Sequence, residues 1–133
     1  MPDYDPRYLE GIRLFNECEF FESHDAWEEL WTEYHGPSRD FFKGLIQVAV
    51  CLVHFNNGNV HGARKLYQSS TNYLRPYAPI HEGLNLEKLL VELESCCAPI
   101  FVGDEEQWSR AELDPDLIPE LHLDDGDHAE EHR

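Results

Sequence analysis

Apolar residues recur every three or four positions along most of this chain, the period of a helix that buries one face. After Asp5-Pro6, where Asp suits an N-cap and Pro the first helical position, Tyr8, Ile12 and Phe15, with Leu9 beside them, form such a face. The first predicted helix runs from there to about residue 19. A second spans about 22–34 and stops at His35-Gly36-Pro37. Ser38 is the expected cap of a third, Arg39–Asn56, whose middle is apolar nearly all round, as a helix at the centre of a bundle is. Asn57-Gly58-Asn59 ends it and caps a fourth, Val60–Leu74, in which Ala63, Leu66, Tyr67, Ser70, Tyr73 and Leu74 keep the period. Arg75-Pro76 closes that helix. Asn85 caps a fifth, Leu86–Cys97, with Leu86, Leu89, Leu90 and Leu93 as its stripe. No segment alternates with period two, so no strand is expected. The pattern predicts an all-α fold: a compact five-helix, bundle-like domain over residues 1–103 with a central buried third helix. An acidic, partly irregular extension follows over 104–133, with a short helical turn near 105–111, an extended stretch over 119–123 and a disordered end over 124–133.

Polar residues inside this pattern carry the candidate chemistry. At about 100° per residue, with His24 as origin, Phe20 falls near −40°, Trp27 near −60°, Trp31 near −20° and Glu28 near +40°. His24 therefore sits within an aromatic stripe with Glu28 at its edge. On the third helix Gln47 and His54 share one line, flanked by Gly44 and Cys51, small residues that let another helix approach. The economical packing sets the His24/Glu28 face opposite the Gln47/His54 face. Buried polar groups need partners, so the four form either a structural network or a site. The candidate cluster or pocket is His24, Glu28, Gln47, His54, Trp27, Trp31 and Glu22.

Three chemistries fit it. A small-molecule pocket would use the tryptophans as walls and the polar groups for orientation. A metal site would draw on His24 and Glu28, one turn apart, with His54 as third ligand. A His–Glu pair also serves general acid–base catalysis. The metal set is incomplete: HExxH and the paired Glu-x-x-His of di-iron bundles are both missing. No bound metal and no cofactor are expected. The chain has neither a phosphate-binding Gly-rich loop nor G-x-S-x-G. His35, His61 and His81 fall near helix ends and are expected to be exposed; His122, His128 and His132 lie in the extension.

Charge narrows the partners. The net charge is −17, of which residues 104–133 contribute −10 (12 acids, 2 bases) and residues 1–103 −7 (15 acids, 8 bases). Nucleic acid and anionic membranes need clustered Lys and Arg, so neither is an expected partner. Acidity within the helical part, with only three lysines, favours adaptation to high salt over a merely acidic tail. No apolar run approaches the length of a membrane span, and the acidic N-terminus lacks a signal-like segment. The four cysteines form no CxxC; Cys18 and Cys51 read as small buried residues, and all four as reduced thiols of a cytoplasmic protein.

Phe15-Asn16, then the run from Phe20 to Trp31, Gly44-Leu45-Ile46-Gln47-Val48-Ala49, His54, Gly58-Asn59 and Gly62-Ala63 occur in the order of the DUF309 family, which this chain resembles over about residues 8–75. The resemblance implies a compact helical domain of a type first seen in a Thermus protein, and a family without an established activity. Asp25 stands where that family usually has Glu, which keeps the charge. Two functions remain open: a module binding a small ligand or protein through the Trp27/Trp31 region, and a hydrolase-type enzyme using His24 and Glu28 as acid and base or as metal ligands. The discriminating observation is whether His24 is sealed in or opens into a concave pocket.

Overall fold

The computed structural model describes residues 3–123. Its helices are α1 (Pro6–Asn16), α2 (Phe20–Glu33), α3 (Arg39–Asn56), α4 (Val60–Leu74), α5 (Leu86–Cys97) and the short α6 (Glu105–Trp108). Single 3₁₀ turns cover Arg75–Tyr77, Ala98–Phe101 and Pro115–Leu117. The five predicted helices are all present. The expected disorder of 124–133, and the sites of His128 and His132, lie outside the described residues. No helix among the described residues is long and apolar enough to cross a membrane.

Short linkers of three to five residues force consecutive helices side by side, so α1 packs on α2, α2 on α3 and α3 on α4. Local chemistry sets the ends. The Asp5 carboxylate accepts from the Arg7 N–H, Asn59 from the Gly62 N–H and Asn85 from the Lys88 N–H, each covering a helix-start donor that lacks an intrahelical acceptor. α3 buries Phe41, Phe42, Leu45, Val48, Ala49, Leu52 and Phe55 and is the centre of the core, as its all-round apolar pattern requires. The α1–α2 contact is close because Gly11 has no side chain. The Trp27 indole lies flat on that position, donates to the Tyr8 carbonyl at 3.1 Å, and is fully buried. Ser23, also buried, donates to the Gly11 carbonyl at 2.9 Å.

Several expectations fail. α1 ends at Asn16, and Cys18 is exposed in the α1–α2 turn with φ +63°, so it is no buried residue of a helix. Leu9 is exposed. A two-stranded antiparallel hairpin, β1 (Ile80–His81) and β2 (Leu84–Asn85), stands where no strand was expected. Its two-residue turn, Glu82-Gly83, has positive φ at both positions (47° and 72°), the geometry that suits the twist of a hairpin. Two-residue strands are too short to leave a period in the sequence.

The chain beyond α5 returns to the core. Trp108 and Leu121 are buried. The Asn16 amide clasps the Leu121 backbone, donating to its carbonyl at 3.0 Å and accepting its N–H at 2.7 Å. Leu123 bridges to Leu84 on the hairpin.

Candidate functional site

Phe20, Ser23, Trp27 and Leu30 are the inward face of α2, leaving His24 and Trp31 half-buried along its edge and Glu28 outside. On α3 the inward face is centred near Leu45, Val48 and Leu52, so Lys43, Gln47, Val50 and His54 occupy the outer, partly covered side. Two neighbours flank that outer side. Trp31 of α2 lies against Lys43, whose ammonium is 4.5 Å from the ring centroid, and the Arg39 guanidinium stacks at 4.0 Å. α4 lies on the other flank. Gly44 is pressed against Leu74 and Tyr73, and Cys51 donates to the Ala63 carbonyl at 3.3 Å. The small residues admit α4, not α2 as their spacing had suggested. The outer side of α3 thus lies between α2 and α4.

The predicted polar residues divide among separate places on these helices. His24 Nε2 is 3.4 Å from Glu28 Oε1, and its Nδ1 is 3.4 Å from Asp25 Oδ1 and 3.3 Å from the Phe21 carbonyl. The His24 side chain is 18% exposed and that of Glu28 53%, so this group opens to water and is not a buried network. His54 belongs to the α3–α4 turn: the Asn59 amide donates to its Nδ1 at 3.2 Å. No hydrogen bond joins His24 or Glu28 to Gln47 or His54 among the described residues. Glu22 is exposed in the first turn of α2. Trp27 belongs to the core and can touch no ligand.

Two polar atoms on this side of the molecule lack a partner. Trp31 Nε1, a donor on α2, and Gln47 Oε1, an acceptor on α3, are buried without any hydrogen bond to the protein. Arg64 Nε, the third such atom among the described residues, is covered by its stacking on Trp108. A buried polar atom left unmatched costs about 1–3 kcal/mol. For metal ligation, the set that converges is His24, Asp25 and Glu28, with one ligand atom from each lying within 4.8 Å of the others. His54, expected as the third ligand, is not in it. One imidazole and two carboxylates suit a borderline divalent cation, but two of the three side chains are exposed.

A second polar group escaped the sequence reading. Ser38 does not cap α3 with its side chain. Its buried hydroxyl donates to Glu82 Oε2 at 2.6 Å and lies 2.7 Å from His81 Nε2. His81 is not exposed either: its ring packs on Phe41 and Tyr77, and this burial lowers its pKa and favours the neutral imidazole. With the serine proton directed at Glu82, His81 must give its Nε2–H to Ser38, the reverse of what an activated nucleophile needs. This Ser-His-Glu group therefore ties the hairpin to the start of α3. Its partners are 43 and 44 residues apart in the chain. The local signal that could have exposed it was the two-residue Glu-Gly turn.

The span from α1 to the middle of α4 matches the family described as "Domain of unknown function (DUF309)" over residues 8–66. Residues 8–66 form a DUF309 domain. The chain is also similar to YpuF of Bacillus subtilis (strain 168), an uncharacterized protein, at 31% identity over 86 residues, 63% of this chain. The match spans 49% of the length of YpuF, about half of it. The DUF309 span contains His24, Glu28, Trp31, Lys43, Gln47 and His54; His81 and Glu82 lie beyond it.

Proposed function

We propose that the DUF309 domain is a binding module that takes a small polar ligand, or a polar side chain of a protein partner, on the outer side of α3. One observation carries this reading: Trp31 Nε1 and Gln47 Oε1 are a buried donor and a buried acceptor with no protein partner, on the neighbouring helices α2 and α3. A ligand group that both accepts and donates, such as an amide or a hydroxyl, meets both needs. Trp31, stiffened by Arg39 and Lys43, supplies the flat apolar contact. The matched span holds both Trp31 and Gln47, so a property common to such domains is best sought there.

The test uses the ligand-free protein. Gln47→Met keeps the length of the side chain and removes the unmatched acceptor. It should stabilise by about 1 kcal/mol, raising the melting temperature by roughly 4 °C, at the expense of binding. A Gln47→Met protein that melts well below wild type would show that Gln47 is structural and would overturn the proposal.

His24, Asp25 and Glu28 favour a second reading, a metal-assisted hydrolase, because three ligand atoms converge beside open solvent. Equilibrium dialysis against Zn²⁺ or Mn²⁺ tests it: stoichiometric binding abolished by His24→Ala supports it, and binding unaffected by that change removes it. Three buried free thiols, Cys51, Cys96 and Cys97, support a reducing, cytoplasmic setting. The acidity of the helical part supports adaptation to high salt.

A further inference from the structure

At the corner where α1 begins, α2 ends, α3 begins and the β1–β2 hairpin turns, four aromatic rings stand in series. Tyr4 meets Tyr8 at 5.6 Å between centroids, Tyr8 meets Phe42 at 5.6 Å and Phe42 meets Tyr34 at 5.2 Å. The interplanar angles are 67°, 64° and 85°, so each ring stands nearly upright on the next. With Leu30, Asp3, Asp5 and Glu82 these rings line a cavity of about 400 Å³ that opens on one side to water. That volume lies in the range of small-molecule sites.

The polar groups of the lining are of one sign. Three carboxylates face the cavity and no Lys or Arg does. Asp5 is paired with Arg7, whose Nε lies 3.1 Å away and whose side-chain hydrogen bond holds the Asp5 carboxyl below its usual pKa. Arg7 reaches Glu33 with its other arm, at 3.1 Å. Among the described residues neither Glu82 nor Asp3 forms an ion pair with Lys or Arg. Glu82 is held in place from two sides: Ser38 donates to its carboxylate at 2.6 Å and the Tyr8 hydroxyl to its carbonyl at 2.8 Å. The Tyr34 hydroxyl is likewise turned into the protein, accepting the Ser38 N–H at 3.1 Å. What remains for an occupant is a surface of mixed polar and apolar atoms under a negative field, its ring contribution coming from the half-buried Tyr4 and Tyr34, since Tyr8 and Phe42 are buried.

We propose that this cavity binds an alkylammonium group. Aromatic walls attract a cation through the ring quadrupole, and they do so best for a large, weakly hydrated one. A bare metal ion is the poorer occupant. The carboxylates of the lining are not among the ligand atoms that converge on a common point in the described residues, as those of His24, Asp25 and Glu28 do. Spread charge on the wall matches spread charge on the ligand. The site does not include Trp31 or Gln47, and neither proposal depends on the other.

The test titrates the full chain at low ionic strength with choline and, in parallel, with 3,3-dimethylbutan-1-ol, its uncharged carbon isostere. Ring-proton NMR shifts of Tyr4 and Tyr34 serve as the readout. Choline should shift both in a saturable way, and the isostere should bind much more weakly. Tyr4→Leu and Glu82→Gln should each weaken choline roughly three- to tenfold. Glu82→Gln keeps an oxygen for Ser38. Asp3→Asn, at an exposed position clear of the fold, should also weaken binding, by less. Equal affinity for the isostere, unmoved Tyr4 and Tyr34 signals, or full choline affinity in a folded Glu82→Gln and in Asp3→Asn would each overturn the proposal.

Discussion

Gly11→Ala is the sharpest probe of how α1 and α2 meet. A Cβ built at Gly11 falls within 2.5 Å of three atoms of the Trp27 indole, where carbon contacts normally need about 3.5–4.0 Å. The ring must therefore retreat by about 1 Å. It has no free space to enter, because Trp27 is fully buried and stacks with Phe15 at 6.1 Å. Overpacking of this kind costs about 1–3 kcal/mol. The shift also pulls the indole N–H off the Tyr8 carbonyl, and a buried donor left bare costs about 1–3 kcal/mol more. Alanine returns only about 1 kcal/mol through its better helix propensity. The net expectation is a loss of roughly 2–4 kcal/mol, read as a drop of about 10 °C in melting temperature and a lower urea midpoint. Tryptophan fluorescence and far-UV circular dichroism should follow the same transition. In a Trp27→Leu background the alanine should cost clearly less, since the obstructing ring is gone. A Gly11→Ala protein as stable as wild type, or an unchanged cost in the Trp27→Leu background, would refute the close contact.

Glu28→Ala should cost under about 0.5 kcal/mol, and the His24/Glu28 double-mutant cycle should couple by no more, because half-exposed ion pairs are weak; a coupling above 1 kcal/mol would show a pair shut off from water. For His81, burial depresses the pKa in the folded state, so its contribution is complete above the ordinary value of 6.5 and fades as pH falls below it. From pH 8 to 5 the wild type should therefore lose more stability than His81→Gln, and parallel curves would count against a buried neutral imidazole. If the helical part is salt-adapted, molar KCl should raise the melting temperature of the full chain and of a chain ending at Leu123, the last described residue. Melting temperatures indifferent to KCl in both would leave the acidity to solubility alone.

Much of the fold was legible because its signals are local. Asp5, Asn59 and Asn85 cap helices through bonds to backbone two or three residues away, so the sequence spells out those starts. The all-apolar run of α3 named the central helix. Ser38 misled for the opposite reason. Its local context reads as a cap, but partners on the hairpin, over forty residues on, claim its hydroxyl. The site was half legible. Helical geometry put His24 and Trp31 within the aromatic stripe of α2, where the structure leaves both at its edge, and put Gln47 and His54 on one line of α3. It could not say which neighbour each line would meet, and Gly44 and Cys51 admit α4 where α2 was expected. Exposure was the other gap: at similar hydrophobic spacing Trp27 seals against a glycine, while Trp31 is left under two cations at the rim.

The hairpin at Glu82-Gly83 touches both ends of the described chain. Tyr4 lays its hydroxyl over Gly83, and Leu123 pairs with Leu84 next door. Residues near both limits of the described chain thus meet on one hairpin. A link between two points held on the same hairpin carries little entropic penalty. A covalently circular form, reopened in the exposed turn at residues 57–59, would keep every helix pairing and change only the order in which the pairs are made.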